Sequence, residues 1–135
     1  MSIHAVIAEL KEMYRAALEG TSSEISRLSD DDIRRWSANL AIARGALYDK
    51  IALNLARGFY KRELPFWFCD RIVNDIHKVI MDVNEDRPKL FWSIFLAFDA
   101  GEYYHEGKRS EDPVATYTRP LIAKIVEGQQ KMPPG

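Results

Sequence analysis

The stretch FWSIFLAFDAGEYYHEG, residues 91–107, is the most informative part of the chain for the fold. Read as a helix, it places three aromatic rings, a carboxylate and an imidazole on one face, because their spacing alternates between four and three residues. These side chains are Phe91, Phe95, Phe98, Glu102 and His105. The aromatic part indicates a helix packed on a core, whereas the polar pair is costly to bury without a partner. We therefore expect a helix that Pro88 opens and Gly107 closes.

The remainder of the chain also repeats apolar residues at helical spacing. Further helices are predicted over residues 2–19, 30–62, 65–83 and 119–127. The segment 30–62 is expected to be one long helix with a bend at Gly45, although the pattern also permits two helices. No segment alternates apolar and polar residues with a period of two, so no sheet is expected. The prediction is an all-α fold, an antiparallel bundle of four main helices plus a short kinked C-terminal helix.

Length and composition limit the class of protein. The 135 residues predict one domain over 1–127 and a disordered tail over 128–135. Apolar residues make up 47% of the chain, which is typical of a globular protein, and a net charge of −1 gives no sign of nucleic-acid binding. The longest apolar run, LFWSIFLAF, is too short to cross a membrane.

The cell compartment is predicted from cysteine usage and from the N-terminal sequence. Cys69 is the only cysteine, so no intramolecular disulfide can form, and its apolar neighbours indicate a small buried hydrophobe. The first residues lack the basic segment and apolar stretch of a signal peptide. We therefore expect a cytoplasmic protein.

Glu102 and His105 form a Glu-x-x-His motif, the spacing that helical bundles use to hold carboxylate-bridged metal pairs. The nearest counterpart is Asn74-x-x-His77, with Asp70 one turn earlier, and asparagine is a poor replacement for glutamate there. One hypothesis is therefore a divalent metal or small ligand held by Glu102 and His105, with His77 or Asp70 reaching in from the preceding helix. The alternative is that the motif reaches the end of the bundle and meets water, arginine or tyrosine.

Negative charge is concentrated around the same helix, because residues 82–112 carry eight acidic and four basic side chains. The predicted docking surface for a basic partner comprises Asp99, Glu102, Tyr103 and Glu106. Complementary charge would speed and orient association with such a partner. The alternative is a solvated helix face, or ion pairs with nearby lysines and arginines.

Consecutive aromatic residues provide candidate anchors for a partner. A helix cannot bury all three of Phe66, Trp67 and Phe68 in a small bundle, and Phe91-Trp92 raises the same question. Trp67 and Trp92 are therefore predicted partner-binding residues, since exposed aromatics mark interfaces. The alternatives are a single core cluster of rings, or pairing of the rings across a homodimer.

No catalytic residues are predicted, because the chain has no Gly-rich phosphate loop, no G-x-S-x-G and no H-E-x-x-H. We favour a protein that acts without catalysis, through protein binding, and that needs no cofactor. The metal or small-ligand bundle and the structural homodimer are the competing hypotheses.

Residues 47–126 resemble the small helical proteins called self-protective colicin-like immunity proteins. The resembling segments are residues 55–60, 66–70, 90–99 and 121–126. The resemblance implies a bacterial protein that binds and neutralises a basic toxin-like domain, usually through an acidic surface. The near-neutral net charge of the chain departs from the expectation of an acidic surface. The acidic segment 82–112 partly meets that expectation.

Overall fold

The chain folds into helices connected by short loops, as a computed structural model of residues 1–20, 27–105 and 110–131 describes it. The helices are α1 (Ile3–Met13), α2 (Arg15–Glu19), α3 (Asp30–Leu40), α4 (Arg44–Tyr60), α5 (Phe66–Asp82), α6 (Lys89–Asp99) and α7 (Arg119–Lys131). A π-helical turn, Val114–Thr118, leads directly into α7. These ranges contain no strand, so the all-α prediction is confirmed.

Several helix starts follow from local sequence. Ser29 and Asp32 form a capping box at α3, in which the Ser29 amide donates to the Asp32 carboxylate over 2.9 Å. Pro65 and Pro88 immediately precede α5 and α6, as predicted, and their extended backbone sets the direction from which each helix begins.

The prediction of one continuous helix over 30–62 is wrong, because a short non-helical segment separates α3 from α4. Ala41 adopts a left-handed conformation with φ of 55° and closes α3. The amides of Ala41 and Ile42 then bond back to carbonyls at the end of α3. Gly45, where a bend was expected, lies inside the first turn of α4.

The prediction that the helix after Pro88 reaches Gly107 is also wrong, because α6 ends at Asp99. In a continuing helix the Ala97 carbonyl would accept from the amide of residue 101. Here the Thr118 hydroxyl donates to that carbonyl over 2.7 Å, and the Gly101 amide bonds to Phe98 instead. Glu102 and His105 consequently lie beyond the helix, in the segment that follows it.

The two ends of the chain depart from the prediction more modestly. The helix predicted over 2–19 is divided at Tyr14 into α1 and α2. The Tyr14 hydroxyl donates to Asp75 over 2.6 Å and so ties this break to α5. At the other end, α7 continues to Lys131, past the predicted end at 127, and residues 132–135 of the predicted tail lie outside the described residues.

Helix α4 lies at the centre of the fold and packs against α1, α3, α5, α6 and α7. Phe91 and Phe98, from the predicted stripe, are fully buried, and Phe98 meets Phe59 of α4 edge to face at 5.4 Å. Cys69 is also fully buried, as expected of a small hydrophobe. Among the described residues, no helix has the length and hydropathy to cross a membrane.

Candidate acidic and aromatic site

Three carboxylates meet where the start of α5 lies beside the end of α6. We call Asp70, Asp99 and Glu102 the acidic cluster. Asp70 is buried on α5, with only 4% of its surface exposed, whereas Glu102 is exposed beyond α6. The Asn74 side chain links the two elements, because its Nδ2 donates to the Asp70 carbonyl over 2.7 Å and to Glu102 Oε2 over 3.2 Å.

Burial and the neighbouring carboxylates change the pKa values of Asp70 and Asp99. Burial raises the pKa of Asp70 to about 8, and the neighbouring carboxylates of Glu102 and Asp99 act in the same direction. The pKa of Asp99 is also raised, first by burial and then by Glu102. The Asp70 carboxyl lies within hydrogen-bonding reach of Glu102, so protonation of Asp70 relieves the repulsion between them.

The cluster lacks a compensating cation within the described ranges. None of its three carboxylates forms an ion pair with a described lysine or arginine. Asp70 Oδ1 is buried without a hydrogen-bond partner. The His105 ring lies close enough to lower the pKa of Asp99, but its Nε2 already lies 2.7 Å from the Ala100 carbonyl. The arrangement therefore has unused capacity to accept hydrogen bonds from a positively charged group.

Exposed aromatic rings flank the acidic cluster. Trp67 lies one helical turn before Asp70 and is 60% exposed, with one face stacked on Phe66 at 4.9 Å. Tyr103 follows Glu102 and is 52% exposed, with its ring stacked on His105 at 4.8 Å. Both rings are therefore available to a partner next to the carboxylates.

The other predicted site residues lie elsewhere or fall outside the description. Trp92 is half-buried, because its ring stacks on Phe95 at 4.9 Å and Arg87 covers it at 3.9 Å. It therefore does not project as an open anchor. Glu106 belongs to the predicted docking surface but lies outside the described residues.

The proposed metal ligands are only partly brought together. Asp70 and Glu102 adjoin, but His77 packs against the rings of Trp92 and Phe95 at 5.3 and 4.7 Å. Burial, followed by the charge of Arg87, lowers the pKa of His77. In the described part of the chain, no three or more histidine, cysteine, aspartate or glutamate side chains are grouped so that they could hold a metal ion.

Asn74 was not among the residues predicted for the docking surface, although its spacing from Trp67 and Asp70 is informative. Trp67, Asp70 and Asn74 follow one another at three and four residues, which places them on one face of α5. The metal or small-ligand hypothesis did bring Asp70 of this face to Glu102, but it placed Glu102 inside a longer helix and not beyond the end of α6.

Comparisons with protein-family models, with curated proteins and with solved structures find no match to this chain. The resemblance to self-protective colicin-like immunity proteins therefore stays a prediction.

Proposed function

We propose that this protein acts without catalysis, by binding a second protein that inserts a lysine or arginine side chain into the acidic cluster. The observation that supports this most directly is the buried Asp70 carboxyl, whose Oδ1 has no hydrogen-bond partner while Glu102 and Asp99 stand beside it. A basic side chain would supply the missing charge and form charge-assisted hydrogen bonds. It would also deprotonate Asp70, so binding would release a proton.

The exposed rings suit the same partner. Trp67 and Tyr103 offer flat surfaces beside the carboxylates, and aromatic anchors next to charged groups are common at the centres of protein interfaces. A guanidinium can lie over such a ring while it pairs with a carboxylate, so we favour arginine over lysine. A basic toxin-like domain in the bacterial cytoplasm, as the resemblance implies, is the partner class that we propose.

We further propose that the main helices form the predicted antiparallel bundle. Near the end of α5, His77 packs against Trp92 at the beginning of α6, whereas Asp70, near the start of α5, acts on Asp99 at the end of α6. These contacts are those of two helices that run in opposite directions. The connections from α4 to α5 and from α5 to α6 are short, and short connections favour antiparallel packing of consecutive helices.

The proposal can be tested by site-specific photo-crosslinking. A benzophenone amino acid placed at Tyr103 should capture a partner in cells, whereas the same group at the exposed Asp86 should not capture it. The affinity of that purified partner for the wild-type protein and for Glu102→Lys is then measured. Loss of one carboxylate and gain of a like charge should weaken binding by at least about tenfold.

The melting temperature separates a binding effect from unfolding. In Glu102→Lys the new ammonium would pair with Asp70 and Asp99, so the melting temperature should stay level or rise. Asp86→Lys changes the net charge equally on an exposed side chain outside the site and is the matched control. Equal affinities for both variants would contradict the proposal, and capture of a second copy of the chain would support the homodimer instead.

The metal or small-ligand alternative has a separate test. His105 Nε2 is occupied by the Ala100 carbonyl, which argues against its use as a ligand in this conformation. Elemental analysis of purified, tag-free protein beside Glu102→Ala/His105→Ala decides the point for metals. Stoichiometric metal that the double variant loses would favour the metal-binding alternative over the protein-binding proposal.

A further inference from the structure

A cleft of about 470 Å³ lies between α1 and the C-terminal end of α4, away from the acidic cluster. Its size falls within the range of small-molecule sites in proteins. Lys11 and His4 line it from α1, and Arg57 and Lys61 line it from the end of α4. Glu63 is the one acidic residue of the lining, so the cleft is predominantly basic.

The lysines and the arginine of the cleft have no carboxylate partner among the described residues. Within the described ranges, Lys11, Arg57 and Lys61 take part in no ion pair. Three unpaired cations around one concave surface attract an anion and raise its local concentration.

Part of the lining of the cleft is apolar, and backbone hydrogen bonds hold the loop that contributes to it. Ile7, Gly58 and Leu64 contribute to the lining. The amides of Glu63 and Leu64 both bond to the Gly58 carbonyl, at 2.8 and 3.1 Å, which folds the loop after α4 back against the helix. A Cβ on Gly58 would lie 2.7 Å from Leu64 Cγ, so only glycine permits this close approach.

We infer that this cleft binds an organic oxyanion, a molecule with a phosphate or carboxylate group on an apolar body. The cationic rim, Lys11, Arg57 and Lys61, would hold the anionic group through charge-assisted hydrogen bonds. The apolar lining residues Ile7 and Leu64 would contact the body of the ligand. The site is independent of the acidic cluster, because it uses different helices and the opposite charge.

The test is an NMR titration of the full chain with three small probes that share a phenyl ring. Phenyl phosphate and benzoate carry the two candidate anionic groups, and benzyl alcohol is the uncharged control. We expect saturable amide shifts at Ala8, Gly58 and Leu64 with at least one anion, and none with the alcohol. Preference for phenyl phosphate would assign a phosphate ligand, and preference for benzoate a carboxylate ligand; either supports the inference.

Matched variants show whether the cleft is responsible. Arg57→Gln/Lys61→Gln removes two cations of the rim and should weaken binding by at least about tenfold, since a hydrogen bond to a charged group contributes that much. Lys50→Gln/Lys124→Gln removes two exposed lysines outside the cleft and should leave the affinity within about twofold. Absence of saturation in the millimolar range, or equal affinities for both double variants, would overturn the inference.

Discussion

The Asp70 carboxyl of α5 and the Glu102 carboxyl beyond α6 lie within hydrogen-bonding reach of each other. Asp70 is buried and Glu102 is exposed, so the repulsion between them is relieved most easily when Asp70 is protonated. This single contact ties the protonation of the site to the stability of the fold. It also makes the site responsive to any cation that a partner presents.

The first prediction concerns the pH dependence of stability. The pKa of Asp70 rises from its ordinary value of 3.8 to about 8 in the folded protein, chiefly through burial. Between these values the folded protein binds a proton that the unfolded chain releases, so the free energy of unfolding must fall as the pH rises. Asp70→Asn is neutral at every pH and should remove this decline. Above pH 8 the variant should be more stable than wild type by about 1–3 kcal/mol.

Urea denaturation across that pH range measures this effect. The informative quantity is the difference between wild type and Asp70→Asn, because other titrating groups then cancel. Asp86→Asn removes an exposed carboxylate of equal charge and should track wild type throughout. A difference that does not change with pH would show that the Asp70 carboxyl is not protonated in the folded state.

Much of the helix content could be predicted because its signals are local. Ser29 followed by three aspartates starts α3, and the prolines before α5 and α6 mark their beginnings. The burial of Phe91 and Phe98 follows from their spacing alone. Such features depend on only a few neighbouring residues, so they can be recognised in a single sequence.

The acidic cluster could be predicted only in part, because the contacts that build it are not local. Asp99 and Glu102 were predicted for the docking surface, and Glu102 was joined to Asp70 in the alternative metal or small-ligand site, but no prediction placed all three carboxylates together. They lie close together because α6 ends at Asp99, where Thr118 of the π-helical turn donates a hydrogen bond to the Ala97 carbonyl. A contact between residues so far apart in the chain has no periodic signature.

The second prediction tests this termination of α6. A Cβ on Gly101 would overlap Thr118 Oγ1 and would lie 3.0 Å from Phe66 Cζ in a buried position. Gly101→Ala should therefore lower the free energy of unfolding by about 1–3 kcal/mol. In a Thr118→Ala background the overlap is gone, so the same substitution should cost less.

Gly128→Ala is the matched control for that experiment. A Cβ at Gly128 would meet nothing within 4 Å, and the residue lies inside α7. Alanine favours a helix over glycine by about 1 kcal/mol, so this variant should be more stable than wild type. Thermal unfolding of both variants gives the comparison. Opposite signs are expected, and equal effects would show that close packing at Gly101 is unimportant.

The third prediction concerns the ion pair that joins α4 to the loop before α6. Arg44 donates to both oxygens of Glu85, over 2.8 and 3.0 Å, and each side chain is only 25% exposed. A double-mutant cycle with Arg44→Gln and Glu85→Gln should give a coupling energy of about 1–2 kcal/mol. The exposed pair Lys78–Asp82 should give less than about 0.5 kcal/mol by the same measurement. Similar couplings for both pairs would contradict this account.

The fourth prediction gives the same ion pair a pH signature opposite to that of Asp70. Burial alone would raise the pKa of Glu85, but hydrogen bonds from Arg44 and Tyr48 outweigh it and lower the pKa below its ordinary value of 4.5. The stabilisation is therefore present above that value and is lost as the pH falls through the folded pKa. Glu85→Gln cannot ionise, so its disadvantage relative to wild type should shrink on acidification. Denaturant unfolding at neutral and acid pH measures this difference, and a constant gap would mean that the Glu85 charge does not stabilise the fold.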